Sequence, residues 1–145
     1  MGCQGEIYNV YGIVVPAKVK SRKGTSSGWD RPVVYEINGK LVSHEEVENI
    51  DFQAGLYFDL DNPKLGVRIL GHDSFDMGSR HFKNQALLGY VVANECYLNS
   101  AAALPEISKI ESWKPKLVEE IKKSFEIDVN EKDIKLFLLF DSLNG

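Results

Sequence analysis

The chain has 145 residues, 43% apolar, 26% charged and 10% aromatic, with a formal net charge of −4. That length suits one domain spanning 1–145, able to remove roughly two-thirds of its unfolded surface from water but not to build a second core. Ordinary apolar content with 12 Gly and 5 Pro excludes disorder and fibrous repeats, and no apolar run approaches the ~20 residues of a membrane-spanning helix.

Charge is unevenly spread. Residues 1–40 carry Lys18, Lys20, Arg22, Lys23, Arg31 and Lys40 against Glu6, Asp30 and Glu36, a balance of +3 that leaves −7 on the remainder. A global attraction to nucleic acid or to an anionic membrane is therefore disfavoured, while a local basic loop stays open. Two cysteines, Cys3 and Cys96, make neither a metal spacing nor a disulfide framework, which fits a reducing, cytoplasmic setting.

In chain order, residues 7–19 alternate with period two. Ile7, Tyr11, Ile13, Val15, Ala17 and Val19 share one face, as in a long strand with a core on that side. Val10 and Val14 on the other face predict cover on both sides of its early part. A mobile basic Gly/Ser loop is expected at about 21–32, from Ser21-Arg22-Lys23-Gly24-Thr25-Ser26-Ser27-Gly28 onward. Asn38-Gly39 between Val33–Ile37 and Lys40–Val42 signals a type I′ hairpin, since both central residues need φ > 0. Ser43-His44-Glu45-Glu46 fits a capping box opening a short helix.

Leu56–Leu60 and Leu65–Leu70 read as a second hairpin around Asp61-Asn62-Pro63-Lys64, and residues 71–84 as a polar loop. Ala86–Tyr97, apolar on both faces through Val92, is expected to be a central strand. After an Asn99–Pro105 connector, Trp113, Leu117, Ile121 and Phe125 at i, i+4, i+8 and i+12 predict an amphipathic helix over about 113–125, with Ser112 as its cap and Pro115 in its first turn. The near-continuous apolar run Ile134–Phe140 predicts a last strand buried on both faces. Together these define an α+β domain: a mostly antiparallel sheet of about six strands with the late helix packed on one face.

Three sets of residues invite a functional reading. Arg22, Lys23, Trp29 and Arg31 in the basic loop suit an anion or a protein partner, because guanidinium forks pair with oxyanions and an exposed indole anchors interfaces. His72, Asp73, Asp76 and His81 lie within ten residues and could ligate a divalent metal or pair as base and orienter, the alternative reading being a metal-dependent hydrolase. Asp59 and Asp61 lie on one side of a predicted strand beside a turn, where solvated carboxylates are common. No Gly-x-Ser-x-Gly elbow, P-loop ending or EF-hand spacing is present, and no cofactor is indicated. The six tyrosines fall in predicted strands, where sheet packing accounts for them.

The reading that results is a small soluble binding or inhibitor-type protein without catalysis, recognising a protein partner or a small anionic ligand. A long exposed edge strand would add a homo-oligomer.

Overall fold

The computed structural model describes residues 5–23, 31–43, 45–47, 60–70, 85–95, 101 and 103–142. Its elements are strands β1 (Gly5–Lys23), β2 (Arg31–Ile37), β3 (Lys40–Ser43), β4 (Gly66–Leu70) and β5 (Gln85–Glu95). Helices α1 (Ile107–Ser112) and α2 (Lys114–Phe125), a 3-10 turn at Glu131–Asp133 and strand β6 (Lys135–Ser142) follow. All pairings are antiparallel, in the order β3-β2-β1-β5-β4, with β6 also on β1. This is the α+β architecture expected from the periodicities.

Strand β1 organises the molecule because it is long enough to serve three partners. Residues 7–12 pair with β5 and with β6 at once, so those two strands flank β1, while residues 17–23 pair with β2. Bulges after Asn9 against β5, and between Val19 and Arg22 against β2, break the register; such bulges bend and twist a strand.

Alternation along β1 then separates two cores. Tyr11, Ile13, Val15 and Ala17 face Leu88, Tyr90 and Ala86 of β5, and α2 covers them with Trp113, Leu117, Ile121 and Phe125. All four are buried, Trp113 from the cap position and the other three from the helix, as their i, i+4 spacing requires. On the reverse face Tyr8 and Val10 pack with Leu87 and Leu139, and Val14 lies against them, so β1 has buried residues on both faces from Tyr8 onward, whereas Ile7, expected on the core face, is exposed.

Local signals are realised closely. Asn38 and Gly39 take φ of 49° and 89°, as the hairpin between β2 and β3 demands. The capping box closes reciprocally: Glu46 N–H donates to Ser43 Oγ, and Ser43 N–H donates to Glu46 Oε2, both at 3.1 Å. A helical turn at 45–47 follows. Glu126 ends α2 in the left-handed region at φ 59°, with its N–H on the Lys122 carbonyl.

Four expectations are corrected. The β1–β2 ladder runs on through Ser21–Lys23 and Arg31–Pro32, so both ends of the expected 21–32 loop are strand, and residues 24–30 lie outside the described residues. Ser112 does not cap α2: α1 leads directly into it, Trp113 occupies the cap position with αR backbone, and the Ser112 hydroxyl donates to the Lys109 carbonyl. Part of the expected connector is therefore followed at once by a helix that buries only Ile110, too little apolar spacing to be seen in advance. Finally, β6 is not buried on both faces. Leu139 faces the second core, but Leu136, Leu138 and Phe140 point to the opposite face and are exposed, because neither core cluster extends over that side of β6. Of the expected 56–70 hairpin, only Leu60 onward falls within the described residues.

Candidate functional site

Three places carry polar or apolar groups that the fold has brought together. The first is the outer end of the β1–β2 ladder. Its register sets Lys23 opposite Arg31 and Arg22 opposite Pro32, so three of the four residues singled out for binding share one end of a two-stranded ribbon. Further in, Lys18 opposes Glu36, an opposite-charge cross-strand pair. Trp29 lies outside the described residues, as do His72, Asp73, Asp76 and His81. Among the described residues no three His, Cys, Asp or Glu side chains cluster as a metal site would require.

The second place is an open cleft of about 520 Å³ between α2 and the 62–65 segment, lined by Asn62, Pro63, Lys64, Leu65, Lys116, Glu120 and Ser124. Lys116 and Glu120 reach it from successive turns of α2. The Tyr90 hydroxyl, from the fully buried centre of β5, donates to Glu120 Oε1 at 2.9 Å. Burial first, then the bond to Glu120 and its charge, push the Tyr90 phenol far above its ordinary value of 10.0. Trp113 meets the Tyr90 ring edge-on, with centroids 6.0 Å apart.

Lys116 Nζ donates to Asn62 Oδ1 at 2.9 Å and to the Pro63 carbonyl at 2.8 Å, and lies 3.7 Å from Glu120 Oε1. It also stands 5.7 Å from the centre of the Tyr90 ring. An ammonium has three donors, and three acceptors surround this one. The cluster thus fastens the 60–65 segment to α2, and Lys109 repeats the device by pairing with Asp61. That bond holds the Asp61 carboxyl below its ordinary range. Asp61 is accordingly one half of an exposed ion pair, and Asp59 lies outside the described residues.

The third place is the outer strand β6, whose Leu136, Leu138 and Phe140 are 46%, 73% and 69% exposed in one row, with Ile7 alongside Phe140 at 42%. Large apolar side chains grouped on a surface mark contact sites more often than scattered ones do. Sequence reasoning missed both the cleft and this row. Lys116 and Glu120 stand at i, i+4, but nothing local links that pair to Asn62 or Tyr90, and the row resembled core because an apolar run does not reveal which of its faces is covered.

The tyrosines belong to the packing. Tyr8, Tyr11, Tyr35 and Tyr90 are buried, so they offer no stacking platform, and Tyr57 and Tyr97 lie outside the described residues. No helix among the described residues is long and apolar enough to cross a membrane. Comparison with protein-family models, with curated proteins and with solved structures finds no match to this chain.

Proposed function

We propose that this is a small cytoplasmic binding protein, of the inhibitor type, which acts without catalysis and docks an acidic surface of a protein partner at the outer end of the β1–β2 ladder. A small anionic ligand would use the same groups. The observation that supports this is the register that puts Lys23 opposite Arg31 with Arg22 beside them. Like charges directly opposite on a ladder are destabilising on their own, and an incoming anion turns that cost into attraction. Trp29 lies in the connection between the two strands, within reach in sequence of the same partner. The catalytic alternative, a metal-dependent hydrolase using His72, Asp73, Asp76 and His81, has less behind it, since those four residues lie outside the described ones and the sequence supplies no recognisable nucleophile motif.

The test compares wild type with a Trp29→Ala/Arg31→Ala variant as tagged bait in host lysate, followed by affinity measurement on whatever the wild type retains. The variant is expected to lose the partner, by roughly a hundredfold in affinity if both act as anchors, with an unchanged melting temperature. Equal retention by the two proteins overturns the proposal. Retention of a small anion in native mass spectra, lost in the variant, would assign the site to a ligand of that kind instead.

A further inference from the structure

We propose that β6 is a self-association edge, and that two copies of this chain pair β6 against β6 antiparallel about a two-fold axis at Leu138. The outer side of β6 pairs with no other strand among the described residues. A free strand edge is a template for another strand, and proteins that must stay monomeric blunt it with bulges, prolines or mid-strand charges. Here β6 runs eight residues with an unbroken register against β1 and contains no proline. Its only charged residues are Lys135 and Asp141, near the two ends.

Those ends are complementary. A two-fold axis at Leu138 sets Lys135 of each copy opposite Asp141 of the other, Leu136 opposite Phe140, Phe137 opposite Leu139, and Leu138 opposite itself. The exposed row Leu136, Leu138 and Phe140 thereby meets its own counterpart on one face of a continuous sheet, where cross-strand apolar pairs are the stabilising unit. Neighbouring registers lack this match. Moving the axis one residue toward the N-terminus sets Asp141 opposite Asp133, and one residue the other way sets it opposite Phe137. A single register therefore satisfies both charge and apolar pairing, and the occupant it specifies is a second copy of β6, with the isologous symmetry usual in dimers. The inference does not rest on the basic end of the β1–β2 ladder, which is formed by other residues.

Sedimentation equilibrium on the full 145-residue chain tests it. The wild type is expected to approach twice the 16.3 kDa chain mass as concentration rises. Lys135→Asp sets like charges in opposition at both ends of the pair, as does Asp141→Lys, and each variant alone is expected to dissociate roughly tenfold more readily. Mixed in equal amounts, the two restore opposite charges at both ends, and a heterodimer of wild-type affinity is expected. Leu138→Lys, which places two ammonium groups at the axis, is expected to give a monomer, with circular dichroism reporting the fold. A wild type that stays monomeric at all concentrations overturns the proposal. So does a dimer indifferent to the single charge reversals, or one whose mixed variants fail to reassociate.

Discussion

The hydroxyl of Tyr90 donates to Glu120 Oε1 at 2.9 Å, joining the buried centre of β5 to the helix that covers it. The bond crosses 30 positions of sequence and places a carboxylate directly above the core. Both partners need it: a buried phenol without an acceptor is costly, and the carboxylate gains a donor in a site of reduced dielectric.

Replacing Tyr90 by Phe removes the donor while keeping the ring against Trp113. The expected loss is about 2 kcal/mol in urea unfolding, the range for a hydrogen bond to a charged group. Glu120→Ala should lose a similar amount, and the double variant less than the sum of the two, because both single changes break one interaction. Additive losses would show that the two residues act separately.

The same pair predicts the alkaline limit of stability. The unfolded chain releases the phenol proton near 10.0, whereas folded Tyr90 holds it to much higher pH, chiefly because it is buried. The folded state thus binds more protons in that window, so stability is constant with respect to this group below the unfolded value and falls as pH rises above it. Tyr11, also raised chiefly by burial, acts in the same direction. Stability measured from pH 9 upward should decline less steeply in Tyr90→Phe than in wild type, and parallel curves would contradict the assignment.

Lys116 should act as a clasp on the 60–65 segment. Lys116→Met keeps the aliphatic stem and removes the bonds to Asn62 and to the Pro63 carbonyl. A modest loss of about 1 kcal/mol is expected, together with faster amide exchange confined to residues 60–65. Unchanged exchange there would mean that packing by Leu60 and Leu65 holds the segment unaided.

Two glycines should prove irreplaceable where a third does not. Gly12 and Gly89 face each other across β1 and β5, and a Cβ on Gly12 would collide with the Leu88 carbonyl oxygen. A Cβ on Gly89 would collide with the Tyr11 carbonyl oxygen. In both cases the obstacle is backbone, which cannot step aside, so Gly12→Ala and Gly89→Ala should each cost about 3 kcal/mol or more. Gly39→Ala meets no atom within 4 Å and should cost only about 1 kcal/mol for its positive φ. Thermal or urea unfolding of the three variants ranks them directly.

Core and surface leucines should separate as cleanly. Leu117 is fully buried under α2, and Leu117→Ala should lose about 3 kcal/mol to cavity formation. Leu41 on β3 is 62% exposed, and its replacement by Ala should stay within about 0.5 kcal/mol. A large loss at Leu41 in urea unfolding would reveal burial that the fold does not account for.

What could be read in advance was whatever depends on residues a few positions apart. The Asn38-Gly39 turn, the Ser43–Glu46 capping box and the buried stripe Trp113, Leu117, Ile121 and Phe125 each follow from steric limits and periodicity within one turn or one hairpin. Ser112 shows where that reach stops. It has the chemistry of a cap, but α1 precedes it without a break, so its hydroxyl serves the helix already running.

The basic residues were legible by type, since Arg22, Lys23 and Arg31 stand out in composition, but their meeting at one ladder end depends on a register with two irregularities between Val19 and Arg22. Asn62, Tyr90 and the Lys116–Glu120 pair had no signal joining them, being brought together only when α2 settles over β5 and against the 60–65 segment.

By itself, then, the sequence determined the α+β class, the strand-forming segments and the helix face that must be buried, because these are set by backbone sterics and by the periods of 2.0 and 3.6. The tertiary structure alone decided that β1 serves three strands and that, among the described residues, β6 has a single strand neighbour and leaves Leu136, Leu138 and Phe140 uncovered. The reason is physical: an apolar side chain records that it prefers to leave water, but which neighbours cover it depends on strand pairings between residues more than a hundred positions apart.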